Sequence, residues 1–406
     1  MNRLARVFFA GLVTVGVTTS AAAQSADAGT PSPLAAQIVR EAQSSDVQAS
    51  LKRQDKSLQK EQYVLMRATQ TPLVAAKVQA IIQARDNIAA SNNLLIGGTP
   101  SSEEQLQRQL ETILSIMRPV YGFCSGAPWV NEQTHDWSTW KDAVTAISSP
   151  VAAVARSVGV IFQYDDAQST TPRLGPTAFV VGKSHIITNR HVLLDYAYPD
   201  SDGVWHMNDD KQVLTVSFPW EYSQCFSRTT PREVRIVAIE AVGKTDAENA
   251  DFAILRTEDN ALPPPAPMAD KYDLYEGQKI AVIGYPSRPL NCEAARPGQE
   301  CATLSEAQID TIFELPNHAV PFPAERFAPG TTRPELKADA VMFSYDSSTW
   351  GGNSGSPVIR LSDGKIVGLH SGGKTKSKGK EMEGIYNNGL KVDRIRKALA
   401  EAGVTQ

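Results

Sequence analysis

The chain reads as a mainly β protein, a barrel or sandwich of many short strands, with helical stretches at both ends. Three observations predict this. Beyond about residue 155, short apolar and β-branched runs alternate with Gly, Pro, Asn and Asp: Val158–Phe162, Ala178–Val181, Val213–Phe218, Val234–Val242, Phe252–Leu255, Ile280–Ile283, Val358–Ile359 and Ile366–Leu369. Many short strands separated by turn residues are the pattern of barrels and sandwiches. Residues 24–118 have a different texture, rich in Ala, Gln, Leu, Lys and Glu from about residue 34 onward. A final amphipathic segment places Val392, Ile395, Leu399 and Val404 on one face of a helix.

Taken in order, Arg3 and Arg6 precede an apolar run over Val7–Val17, and Ala21-Ala22-Ala23 offers a small-residue cleavage site before Gln24. Residues 1–23 therefore read as a secretory signal peptide. The apolar run falls short of the roughly 18–20 residues needed to span a bilayer, so no membrane anchor is expected after cleavage. The expected location is periplasmic or extracellular. In the helical region, Leu106, Leu110, Ile113, Leu114 and Met117 recur at helical spacing. Ser101-x-x-Glu104 reads as a capping box opening that helix and Pro119 as its stop. Residues 119–154 hold Trp129, Trp137 and Trp140 and read as a connector packed on the β domain, which starts at 155 and runs to 406.

Near the end lies Gly351-Gly352-Asn353-Ser354-Gly355-Ser356-Pro357. Such composition is ordinarily a surface turn, but glycines are also what an oxyanion hole of backbone N–H groups requires. A serine hydroxyl needs a base, and the base needs a group to orient it. His191 follows an apolar run in Ser184-His185-Ile186-Ile187-Thr188-Asn189-Arg190-His191, whereas His185 sits at the start of that run and reads as a strand-entry residue. Asp251 directly precedes Phe252-Ala253-Ile254-Leu255. The order His…Asp…Ser, with Ser356 where a nucleophile elbow has glycine, excludes the α/β-hydrolase arrangement.

These segments resemble those of chymotrypsin-like (trypsin-like) serine peptidases, most closely bacterial members of the glutamyl-endopeptidase-like branch. The likeness covers about residues 155–402, including Gly284-Tyr285-Pro286 and Gly368-Leu369-His370-Ser371-Gly372-Gly373. It implies a double six-stranded β-barrel with a C-terminal helix and an exported serine endopeptidase acting on proteins or peptides. Its implied triad is His191, Asp251 and Ser354, with the N–H groups of Gly352 and Ser354 as oxyanion hole. Ser348, Thr349 and His370 match positions lining the S1 pocket. Ser348 stands where trypsins hold a specificity aspartate, so a strong Arg or Lys preference is not expected. A hydroxyl and an imidazole could instead hold a glutamate carboxylate at P1. Asn353 replaces the aspartate that pairs with a newly cut amine, so activation by N-terminal insertion is not expected.

Export makes the cysteines candidates for disulfides. Cys292 and Cys301 bracket a polar loop, which leaves Cys124 and Cys225 as a second bridge; four cysteines allow three pairings, all open at this stage. No Cys-x-x-Cys or His-Glu-x-x-His occurs, so no metal or other cofactor is expected. A formal net charge of −4 argues against a nucleic-acid partner. The basic stretch Lys374–Lys380 reads as a solvated loop. The helical N-terminal region is expected to be a propeptide, a regulatory module or a binding element for the peptidase domain or another protein. The competing reading of the whole chain is a non-catalytic or autoinhibited binding module on the same fold, against which stands the presence of all three triad residues.

Overall fold

The computed structural model describes residues 33–43, 45–67, 71–124, 126–129, 138–208, 212–218, 232–244, 250–258, 262–289, 309, 324–333, 340–373 and 386–405. The expected leader, Trp137, Cys225, Cys292, Cys301 and the stretch Lys374–Lys380 lie outside the described residues.

Four helices come first: α1 (Pro33–Ala42), α2 (Ser45–Arg67), α3 (Pro72–Leu95) and α4 (Glu103–Met117). Local chemistry sets their starts. Thr71 accepts the N–H of Val74 on its side chain at 3.2 Å, with Pro72 in the first turn where its missing N–H costs nothing. At α4 the cap lies one residue later than Ser101-x-x-Glu104. Ser102 Oγ accepts the N–H of Gln105 at 3.1 Å, and the Gln105 side chain accepts from the Ser101 N–H. Ile38, Leu51, Ile81, Ile88, Leu110 and Ile113 form a core of their own.

The stretch expected as a connector contributes β1 (Tyr121–Cys124), β2 (Ala127–Trp129), α5 (Ser138–Ala146) and α6 (Ser148–Ser157). Trp140 is buried, with the Arg118 guanidinium and the Lys279 ammonium 5.6 and 5.5 Å from its ring centroid. Cys124 is disulfide-bonded.

A closed six-stranded barrel follows, built from β3 (Val158–Tyr164), β4 (Arg173–Gly182), β5 (His185–Thr188), β8 (Val213–Phe218), β9 (Arg232–Val242) and β10 (Ala253–Thr257) in the order β10-β5-β4-β3-β8-β9. Between β5 and β8 lie α7 (Arg190–Leu193) and the hairpin of β6 (Ala197–Pro199) with β7 (Trp205–Met207). The central strands are apolar on both faces. Ala178, Val180, Ile186 and Leu255 fill the barrel, while their neighbours Phe179, Val181, Ile187 and Ile254 join the core shared with the second half. Alternation disappears where both faces are buried.

The second half is β11 (Lys279–Gly284), β12 (Arg326–Thr331), β13 (Met342–Tyr345), β14 (Pro357–Arg360), β15 (Ile366–Gly373) and β16 (Asn387–Lys391). Rather than a separate six-stranded barrel it is an eight-stranded sheet, β13-β16-β15-β14-β11-β12-β1-β2. The outer edge of β12 serves two neighbours: Phe327 pairs with Tyr121 of β1, and Thr332, just past the strand, bridges Tyr345 of β13. The sheet thus curls nearly shut while gaining two strands. α8 (Val392–Glu401) buries Val392, Ile395 and Leu399 against it, as the sequence pattern predicts.

A buried charge cluster joins the helices to this sheet. Asp346 accepts from Arg118 Nε at 2.7 Å and Nη2 at 2.8 Å, from the Thr331 N–H at 2.6 Å, and pairs with Arg333 at 2.5 Å. Burial alone would raise the Asp346 carboxyl, but the two guanidinium groups and the hydrogen bonds outweigh it and hold the pKa low. Asp346→Asn removes the buried carboxylate that Arg118 and Arg333 share, leaving them only the partly exposed Glu41 carboxylate among the described residues, and is expected to cost about 3–5 kcal/mol, read as a lowered urea midpoint. Because the folded pKa is depressed, the stabilisation is complete above the unfolded value of about 4 and is lost as pH falls through the folded one. Urea midpoints measured from pH 7 downwards should show that loss in the wild type and not in Asp346→Asn.

Candidate active site

Strand register brings the first two groups together. β5 and β10 pair antiparallel with Thr188 opposite Ala253. His191, three residues beyond Thr188, and Asp251, two before Ala253, therefore emerge at the same end of the barrel. His191 Nδ1 lies 2.7 Å from Asp251 Oδ2, and the His191 backbone N–H donates to Asp251 Oδ1 at 3.0 Å. The carboxylate thus holds both the ring and the main chain of His191. The side chain of His191 is 46% exposed and that of Asp251 24%, so the imidazole is open to a ligand while the carboxylate is largely shielded. Burial would raise the Asp251 carboxyl, but the His191 hydrogen bond and charge hold it below the usual range.

The third group comes from the other half. His191 Nε2 is 2.9 Å from Ser354 Oγ. Ser354 sits on a turn before β14, with Gly352 at φ 92° and Gly355 at φ 88°, both in the left-handed region. Thr177 of β4 anchors this turn across the seam. Its N–H donates to the carbonyls of Gly352 and Ser354 at 3.0 Å each, and its hydroxyl donates to Gly352 at 2.8 Å.

The same turn aims two N–H groups outward. The Gly351 carbonyl accepts from Ser287 at 2.6 Å and the Asn353 carbonyl accepts from Ser356 at 2.9 Å. In trans peptides the N–H points opposite its carbonyl, so the N–H groups of Gly352 and Ser354 face away from those partners. Neither donates to any described residue. A Cβ on Gly352 would meet the Tyr285 carbonyl at 2.6 Å and the Ser287 nitrogen at 2.9 Å, besides the unfavourable φ. Gly352→Ala is therefore expected to lower kcat by about 10²–10³, with a smaller change in KM, in steady-state peptide assays.

Asn353 is buried, and its amide oxygen accepts from Ser356 Oγ at 3.4 Å. His370 is 2% exposed, and burial pushes its pKa down to about 3. Its Nδ1 hydrogen-bonds the Tyr345 hydroxyl, itself held protonated by burial. The ring is then neutral. Thr349 Oγ1 donates to Asn387 Oδ1 at 2.7 Å, and Asn387 Nδ2 donates to the Ser347 carbonyl at 2.6 Å. Ser348 is half-buried beside them. His185 opens β5 opposite Arg256, at the far end of the strand from His191.

Sequence reasoning missed Asn189, Ser371 and Asn387. Asn189 is fully buried and donates to the Asp251 carbonyl at 2.9 Å and to Ser371 Oγ at 3.4 Å, while Ser371 hydrogen-bonds the Asp251 carboxylate. The only signal for the first two was adjacency to motif residues; Asn387 had none. A cleft of about 310 Å³ adjoins Asp251, lined among others by Arg190, Lys244, Ser371, Gly372 and Gly373. Among the described residues no group of three or more His, Cys, Asp and Glu side chains could hold a metal ion, and no helix is long and apolar enough to cross a membrane.

Serine protease FAM111A of Mus musculus is 23% identical over 207 residues, covering 49% of this chain and 32% of its own length. The chain thus spans about a third of that relative. The crystal structure of Rv3671c from M. tuberculosis H37Rv, a serine-to-alanine mutant in its inactive form, aligns at 20% identity over 63% of this chain and 92% of its own, with a TM-score of 0.35. So loose a superposition carries no weight here. Residues 176–369, which run from β4 to β15, match the family model described as a trypsin-like peptidase domain. The match takes in a little under half of the chain, including the segments that carry His191, Asp251 and Ser354.

Proposed function

We propose that the chain is a serine endopeptidase in which Ser354 is the nucleophile, His191 the general base and Asp251 the group that orients it. The observation that carries this reading is the unbroken relay from Ser354 Oγ to His191 Nε2 at 2.9 Å and from Nδ1 to Asp251 at 2.7 Å. With Nδ1–H donating to the carboxylate, Nε2 is free to accept the serine proton as Oγ attacks the scissile carbonyl. The oxyanion forms against the N–H groups of Gly352 and Ser354. His191 then protonates the leaving amine, and water, deprotonated by the same nitrogen, hydrolyses the acyl-enzyme. Labelling the full chain with a fluorophosphonate tests the reading. Covalent modification that is absent in Ser354→Ala supports it, and an unlabelled wild type would refute it.

At P1 we favour an acidic residue. The support is the Ser348 hydroxyl together with the neutral, buried His370, beside a Thr349 hydroxyl already donated to Asn387. A serine hydroxyl and a neutral imidazole can both donate to a carboxylate. Hydrogen bonds to a charged group are worth about 1.5–3 kcal/mol, so kcat/KM should favour Glu over Gln at P1 by about 10–100-fold. Equal rates in a matched peptide pair would remove this assignment and leave the chemistry standing. Asn353 offers no charge for a new N-terminal amine, so the site is read as needing no such cleavage. We further read residues 1–23 as a cleaved leader and the protein as exported, on the charged, apolar and small-residue pattern of that segment. N-terminal sequencing of the protein recovered from outside the cytoplasm checks it.

A further inference from the structure

Two contacts between the helical region and the peptidase domain lead to the same three residues. The first is Asp346, whose side chain is 0% exposed. It is gripped by Arg118, the residue after α4, and by Arg333. Arg333 is in turn held by Glu41 of α1 at 3.0 and 3.3 Å, and Glu41 also stands 3.7 Å from Arg118. Asp346 immediately precedes Ser347, Ser348 and Thr349. The second is Tyr386, which packs against the core of α1–α4. Its neighbour Asn387 holds the Ser347 carbonyl at 2.6 Å and the Thr349 hydroxyl at 2.7 Å. One contact braces the 347–349 segment through the chain and the other through side-chain hydrogen bonds.

Resting on the peptidase reading above, we infer that the helical region is a fixed buttress of the P1 pocket, with Arg118, Glu41 and Tyr386 as positioning residues for its wall. A buried carboxylate between two guanidinium groups tolerates little displacement, because losing one partner leaves charge unpaired out of water. Small movements of α1 and α4 are therefore resisted at Asp346, and the wall inherits that rigidity. The nucleophile turn has its own anchor in Thr177 of the barrel. Loosening the buttress thus acts on substrate fit ahead of serine chemistry. It also follows that α1–α4 supports activity and does not inhibit it.

The test uses the full chain with Arg118→Met, Glu41→Gln and Tyr386→Ala. Two rates are compared: fluorophosphonate labelling, which needs Ser354 but little of the P1 pocket, and hydrolysis of peptides differing only at P1. We expect Arg118→Met to raise KM by roughly tenfold or more and to flatten the P1 profile, with a labelling rate within about threefold of wild type. Glu41→Gln and Tyr386→Ala should shift KM and profile in the same direction by smaller factors. If Arg118→Met does not fold, these two milder changes carry the test, since the Glu41 side chain is 33% exposed. Unchanged KM and P1 profile in the folded variants, or higher peptide activity in any of them, would overturn the buttress alone. A wild type that fails to label would overturn the peptidase reading beneath it.

Discussion

Ser354→Ala is expected to lower kcat by about a millionfold with little effect on KM, the loss seen when a triad nucleophile is removed. The magnitude follows from the geometry. Ser354 Oγ is the atom 2.9 Å from His191 Nε2, and it stands on the turn that carries the two outward N–H groups. Alanine removes the attacking atom while leaving the turn, the Thr177 anchor and the oxyanion donors in place. Peptide binding should therefore persist, and any residual rate would come from the donors and from substrate positioning. Kinetics on a single good peptide, with active-site titration of the wild type for comparison, measure both parts. A kcat within an order of magnitude of wild type would assign the nucleophile elsewhere.

Asp251→Asn should lower kcat by about 10⁴. The side chain keeps its shape, but an amide offers His191 Nδ1 either an acceptor oxygen or a donor nitrogen. If the nitrogen donates, the proton moves to Nε2, and the ring can no longer accept from Ser354. The variant also removes the charge that stabilises the imidazolium. In the wild type the Asp251 pKa is held low, so this carboxylate stays ionised from neutral pH down to the ordinary carboxylate range. Activity lost on mild acidification above that range should therefore not be traced to Asp251. Steady-state rates of Asp251→Asn against pH, set beside fluorophosphonate labelling, separate loss of the base from loss of fold.

What could be read from the chain was whatever is encoded locally. The glycine-rich turn around Ser354, the apolar run before His191 and the strand after Asp251 each carry their function within a few neighbouring residues, and register then joins them. The short apolar runs of β4, β5 and β10 announced strands, and the structure showed them buried on both faces. Illegible were the features that depend on remote pairing. Arg118 and Asp346 are 228 residues apart, and nothing near either one marks a partner. β1 and β2 came from a stretch read as a connector because strand pairing with β12 leaves no short-range trace. The α4 cap slipped by one residue because Ser101 and Ser102 are chemically equal candidates, and only the helix itself decides between them. Asn387 looked like one polar residue among many until β16 set it against Ser347 and Thr349.

Thr177 also has a bearing on how this molecule fails. One threonine of the closed barrel holds the nucleophile turn of the opposite sheet through both its main chain and its side chain, and the relay spans the same gap. Separation of the halves by little more than an ångström would break the Ser354–His191 contact while leaving each strand ladder intact. Chemical competence is then a property of the junction, lost at an earlier stage of destabilisation than the strands themselves, since local openings need less free energy than global unfolding.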